Sequence, residues 1–72
     1  MPEKTYKVIE VVGVSSESVH QAVRNAISKA SQTVRNIDWF EVQQVRGALR
    51  GANPEFQVTL KIGFRLEGAP VV

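Results

Sequence analysis

The stretch from Glu55 to Leu66 alternates without a break. Phe56, Val58, Leu60, Ile62, Phe64 and Leu66 fall on one side, while Gln57, Thr59, Lys61, Gly63 and Arg65, continued by Glu67, fall on the other. A period of two is the signature of a strand with one face buried and one face turned to other surroundings. The chain must therefore build a sheet and cover one side of it. A second β pattern runs from Ile37 to Leu49. Between the two, Arg50-Gly51-Ala52-Asn53-Pro54 carries turn chemistry, which predicts an antiparallel hairpin.

The cover lies upstream. Val19, Ala22, Val23, Ala26, Ile27, Ala30 and Val34 recur in steps of three and four, one face of an amphipathic helix. His20, Arg24, Ser28, Lys29 and Gln32 form the opposite face. Alanines on the buried stripe keep it slim, so the helix can approach a sheet closely. Ser15 reads as its N-cap, Glu17 as an early charge suited to the dipole, and Asn36 as its C-terminal stop, tolerant of the left-handed conformation. Before it, Thr5 to Val12 is rich in β-branched residues and reads as a strand that Gly13 ends. Its apolar groups fall on both faces, Val8 with Val12 and Ile9 with Val11, so both faces call for cover. The order is strand, helix, strand, strand. This is an α+β fold, a βαββ unit with one helix against a three-stranded antiparallel sheet, forming a single domain over residues 1–72 with a flexible tail at 68–72.

One helix covers only one face, and the sheet keeps open edges that invite pairing with other chains. The chain has 72 residues and no cysteine, so disulfides and thiolate metal sites are excluded. A fold this small without staples commonly gains stability by oligomerisation. Net charge is only +2, with basic residues scattered and not clustered, which argues against nucleic acid as the partner. No stretch approaches the roughly 20 apolar residues of a membrane span, and the first residues lack the apolar core of a signal peptide. The expected location is cytoplasmic.

Trp39 is the single tryptophan. If Phe40 and Val42 face the helix, Trp39 points away from it, and the alternation of the last strand sends Gln57 outward as well. An outward indole serves either as an interface anchor or as a stacking platform for a flat heteroaromatic ligand, with a carboxamide to meet the ring's polar edge. Arg46 and Arg65 lie on the same hairpin. A guanidinium there binds a phosphate or stacks on a ring, or forms an exposed ion pair with Glu41 or Glu67 worth about 0–1 kcal/mol. Arg46 has the opposite parity to Trp39 in a regular strand and joins its face only if the strand bulges before Gly47. His20 has no ligand partner one turn away. Ser15 and Ser16 have no base at a suggestive spacing. Gly47 and Gly51 do not open a helix as a phosphate loop would, and nothing places Glu41 beside Glu55. No catalytic constellation emerges. A sheet-based nucleic-acid binder would need Phe56 beside Trp39 as a second base platform, but the alternation turns Phe56 inward.

Asp38-Trp39-Phe40-Glu41-Val42 followed by Val45-Arg46-Gly47, then Phe56-Gln57-Val58 and Ile62-Gly63-Phe64-Arg65-Leu66-Glu67, resemble the dodecin family. Tyr6-Lys7-Val8-Ile9-Glu10-Val11-Val12-Gly13 fits as well, so the likeness runs from about residue 5 to residue 67. The resemblance implies a dodecameric hollow shell of βαββ subunits whose sheet partly wraps the helix, and a non-enzymatic protein that stores, buffers and quenches flavin. It implies flavin rings held between tryptophans of neighbouring subunits. Trp39 would be the stacking residue, Gln57 the partner of the pyrimidine edge, and the backbone near Asp38 a further contact. Arg46 and Arg65 would approach the ring or its phosphate. The tryptophan stretch is similar to the bacterial branch, which implies FMN as the ligand, with riboflavin or FAD as substitutes and coenzyme A as an additional ligand. The alternative is a coenzyme A-binding shell in which Trp39 is only an anchor. The hairpin loop from Gly51 to Pro54 and Ala48 depart from the family pattern and bear on contacts to the ribityl chain.

Overall fold

The computed structural model describes residues 3–67. They form β1 (Tyr6–Ser15), α1 (Val19–Ser31), β2 (Ile37–Arg50) and β3 (Asn53–Arg65). The sheet is antiparallel with order β1-β3-β2. The most regular of the three strands in sequence is thus the central one, which explains its clean alternation. Val58, Leu60 and Ile62 are fully buried under Ala22, Ala26 and Ala30 of α1, with Ile9, Val11, Val19, Val23, Ile27 and Ile37 packed around them. Each of the three large side chains contributes about 1.5–3 kcal/mol by leaving water. The expected flexible tail at 68–72 lies outside the described residues.

β1 runs on to Ser15, past the glycine expected to end it. Gly13 is buried inside the strand at the point where the helix comes closest. A Cβ there would sit 2.0 Å from the Ala22 carbonyl oxygen and 2.8 Å from the Ala26 methyl group. The missing side chain and the alanine stripe are two halves of one close approach.

Four details of the helix depart from expectation. The N-cap is Ser18, whose Oγ accepts from the Gln21 amide at 2.9 Å, and not Ser15. Ser15 is buried at the end of β1 and accepts from the Glu17 amide at 2.9 Å, shaping the turn that leads into the helix. Glu17 consequently precedes the cap and lies outside the first turn. The helix also stops at Ser31, leaving Val34 in the link. Asn36 does adopt the left-handed conformation, with φ 65°, but at the entry to β2 and not at the helix end. Its carbonyl accepts from the Arg65 amide at 3.0 Å, which joins the link to the far end of β3.

β2 and β3 form a long hairpin around Gly51 and Ala52, with Arg50 opposite Asn53. Only Gly51 of the two has positive φ, the pattern of a II′ turn. Asn53 and Pro54, expected in the loop, belong to β3. The helix packs on β1 and β3 and leaves most of β2 uncovered. Phe40 and Val42 therefore do lie on the helix side of the sheet but remain 48% and 45% exposed, not buried under the helix. Leu66, expected inward, falls beyond β3 and is exposed as well.

Candidate functional site

Register decides which residues share the face turned away from the helix. Tyr6 lies opposite Arg65, Val8 opposite Gly63 and Val14 opposite Gln57. From the other side Trp39 lies opposite Gly63 and Arg46 opposite Gln57. Two irregularities in β2 produce this arrangement, because Asp38 and Gln43 have no partner in β3. The extra residue at Gln43 reverses the parity of the strand, and Arg46 thereby joins the face of Trp39. Phe56 lies opposite Ser15 and Gly47 on the helix side, away from Trp39.

Trp39 rests on Gly63. A Cβ at Gly63 would fall 2.3 Å from Cε2 and Cζ2 of the indole. The ring is thus seated on bare backbone, and a glycine inside a central strand finds its use as a floor. Tyr6 meets the indole edge to face, with centroids 5.0 Å apart and planes at 63°. The indole is 41% exposed. One side is supported by the sheet and the other is open to a flat partner. Asp38 raises the pKa of the Tyr6 hydroxyl, desolvation adds to this, and Arg65 opposes it. Gly63→Ala is expected to lift the indole off the sheet while costing no more than about 3 kcal/mol, since the exposed ring can swing outward. The emission of the single tryptophan should shift to the red; an unchanged spectrum would refute the seating.

A second cluster occupies the same face further along. Arg46 Nε donates to Gln57 Oε1 at 2.7 Å, Gln57 Nε2 donates to Glu55 Oε1 at 3.4 Å, and Arg50 pairs with the same oxygen at 3.3 Å. Arg46 is thus spoken for by a carboxamide and not by Glu41, and Arg50–Glu55 is the one ion pair among the described residues. Val8, Val12 and Val14 lie between the clusters, exposed on β1.

Four sequence-predicted residues therefore divide into two pairs. Trp39 and Arg65 gather at one end, with Asp38 beside them, while Arg46 and Gln57 meet at the other. Positions 57 and 63 of β3 are separated by about 20 Å at the rise of an extended strand. That distance exceeds the span of one small aromatic ring system. The sequence places indole and carboxamide on one face, yet a single protomer does not bring them to one ligand. Tyr6 was the residue that sequence pattern alone did not single out. Its role appears only once β1 pairs with the end of β3. Among the described residues no group of three or more His, Asp or Glu side chains is poised to hold a metal ion, and no helix is long and apolar enough to cross a membrane.

The dodecin family model matches residues 5–67. The chain belongs to the dodecin family. Its sequence is 46% identical to the dodecin of Thermus thermophilus over 65 residues, covering 89% of this chain and 94% of that relative. In structure this dodecin resembles that from Streptomyces coelicolor, with 56% identity and a TM-score of 0.90 over 96% of this chain and 100% of the other. It likewise resembles the dodecin from Streptomyces davaonensis, with 51% identity and a TM-score of 0.89 over 93% of this chain and 100% of the other. The βαββ fold with one helix on a three-stranded antiparallel sheet is that of these relatives.

Proposed function

We propose that this dodecin binds flavin without catalysing a reaction on it, and does so between copies of itself in a closed homo-oligomer, a dodecameric shell. The observation that carries the reading is the indole of Trp39, seated on Gly63 with one side free on a face that the monomer leaves uncovered. A flat heteroaromatic ring fits that side by stacking. Gln57 offers both a donor and an acceptor to a pyrimidine edge, but it lies too far along β3 to serve the same ring as its own Trp39. A neighbouring copy supplies it. Burial of Val8, Val12 and Val14 on the outer face, and of Phe40, Val42, Val45 and Leu49 along β2, gives the association its driving force.

FMN is the proposed ligand, with riboflavin or FAD as substitutes. Arg46 and Arg65 are the cations near the two ends of the face, suited to a phosphate or to stacking. The backbone at Asp38, bulged next to the indole, adds polar contacts. Bound flavin supplies light absorption and one-electron chemistry. A ring enclosed by indoles has little room for a substrate, and its contact with Trp39 favours quenching of the excited state. Storage, buffering and photoprotection follow. Titrating FMN with the purified protein should extinguish its fluorescence at saturating protein, and the mass in solution should be that of a twelve-chain assembly. Fluorescence unchanged across the titration, or a persistent monomer, would end the proposal.

A further inference from the structure

We propose that Tyr6 is a second electron donor behind Trp39, with the Asp38 carboxylate as the acceptor of its phenolic proton. The role rests on the flavin reading above for its biological use, but the relay belongs to this chain's own residues. Tyr6 and Trp39 are the only tyrosine and the only tryptophan of the sequence. They are in edge-to-face contact at 5.0 Å between centroids, so no atom intervenes between donor and acceptor rings. Asp38 is the unpaired bulge residue preceding Trp39, and it is the group that most raises the pKa of the Tyr6 phenol. The carboxylate keeps the phenol protonated at rest. It is also the base to which that proton passes when the ring loses an electron.

The step balances as follows. Trp39 would lose one electron, to photoexcited flavin where it is bound or to another one-electron oxidant, and become an indole radical cation. One electron then moves from the Tyr6 ring to Trp39, and the phenolic proton moves to the Asp38 carboxylate. Neutral Trp39, a neutral tyrosyl radical and a protonated Asp38 result. Return of the electron to Tyr6 takes the proton back from Asp38 and restores the starting state. The relay moves the oxidising equivalent off the stacking residue, which protects the platform from permanent oxidation.

Pulse-generated azide radicals, which oxidise tryptophan selectively, test the relay on flavin-free protein. The indole radical absorption should decay by first-order kinetics at a rate independent of protein concentration while the tyrosyl band grows. In Tyr6→Phe, which keeps the ring and its packing, the growing band should be lost and the indole radical should persist. Asp38→Asn should slow the transfer on the order of tenfold, less than buried bases achieve because water can take the proton at an exposed site. An indole radical decay that is the same in Tyr6→Phe as in the parent protein would overturn the relay. A second arm separates this from the flavin proposal. With FMN bound and under steady light, Tyr6→Phe should stay quenched yet accumulate oxygenated Trp39, read by peptide mass, faster than the parent. Unquenched FMN in the parent protein would defeat the flavin reading and leave the relay to be judged by the radical decay.

Discussion

Gly13→Ala is expected to remove a large part of the chain's folding stability. The added methyl group would meet the Ala22 carbonyl oxygen at 2.0 Å and the Ala26 methyl group at 2.8 Å. The first is helix backbone and cannot turn aside. The helix would have to retreat from β1, and in doing so it would open the contact of Ala22, Ala26 and Ala30 with Val58, Leu60 and Ile62. Overpacking of this kind costs typically 1–3 kcal/mol and more where backbone is the obstacle. We expect about 3 kcal/mol or more, against a total of roughly 4–11 kcal/mol for a domain of this size. The midpoint of denaturant unfolding should fall accordingly, with a sharp loss of soluble protein. A midpoint equal to that of the parent would refute the close approach.

Trp39→Ala should leave that core untouched and act on the ligand. The indole lies on the side of the sheet away from the helix, and its removal uncovers only Gly63 and one edge of Tyr6. Stacking of a base on an aromatic side chain contributes about 1–3 kcal/mol by alanine substitution, so FMN should bind about 5–150-fold more weakly. Fluorescence titration reads the affinity, and size-exclusion chromatography reads the assembly. Retained affinity with a disrupted oligomer would reassign Trp39 as an interface anchor and remove it from the ligand site.

The elements were legible where the pattern is local. β3 announces itself through five alternating apolar residues, Phe56 to Phe64, because it is the central strand, and α1 through its stripe of Ala22, Ala26 and Ala30. What escaped depends on partners distant in sequence. Ser15, Ser16 and Ser18 are all competent caps, and the choice among them is made by how far β1 pairs with β3, which ends with Ser15 opposite Phe56. Gly13 reads as a strand breaker until the helix is laid over it. Phe40 and Val42 carry the correct parity but not the knowledge that α1 ends short of β2. The sides of Trp39 and Gln57 follow from alternation, whereas their separation follows from register along β3. The company of Arg46 depends on a bulge that the run Val42-Gln43-Gln44-Val45 does not betray.

That bulge carries a consequence for descent as well as for binding. Because Gln43 is the supernumerary residue, losing its codon would let β2 pair in regular fashion through to the hairpin tip. Arg46 would stay opposite Gln57 on the face of Trp39, because every residue after the bulge keeps its partner in β3. The number of residues from indole to guanidinium is thus free to fall by one. A lineage could lose one residue between Val42 and Gln44 and keep both halves of the recognition surface, giving up only the local twist that a bulge adds.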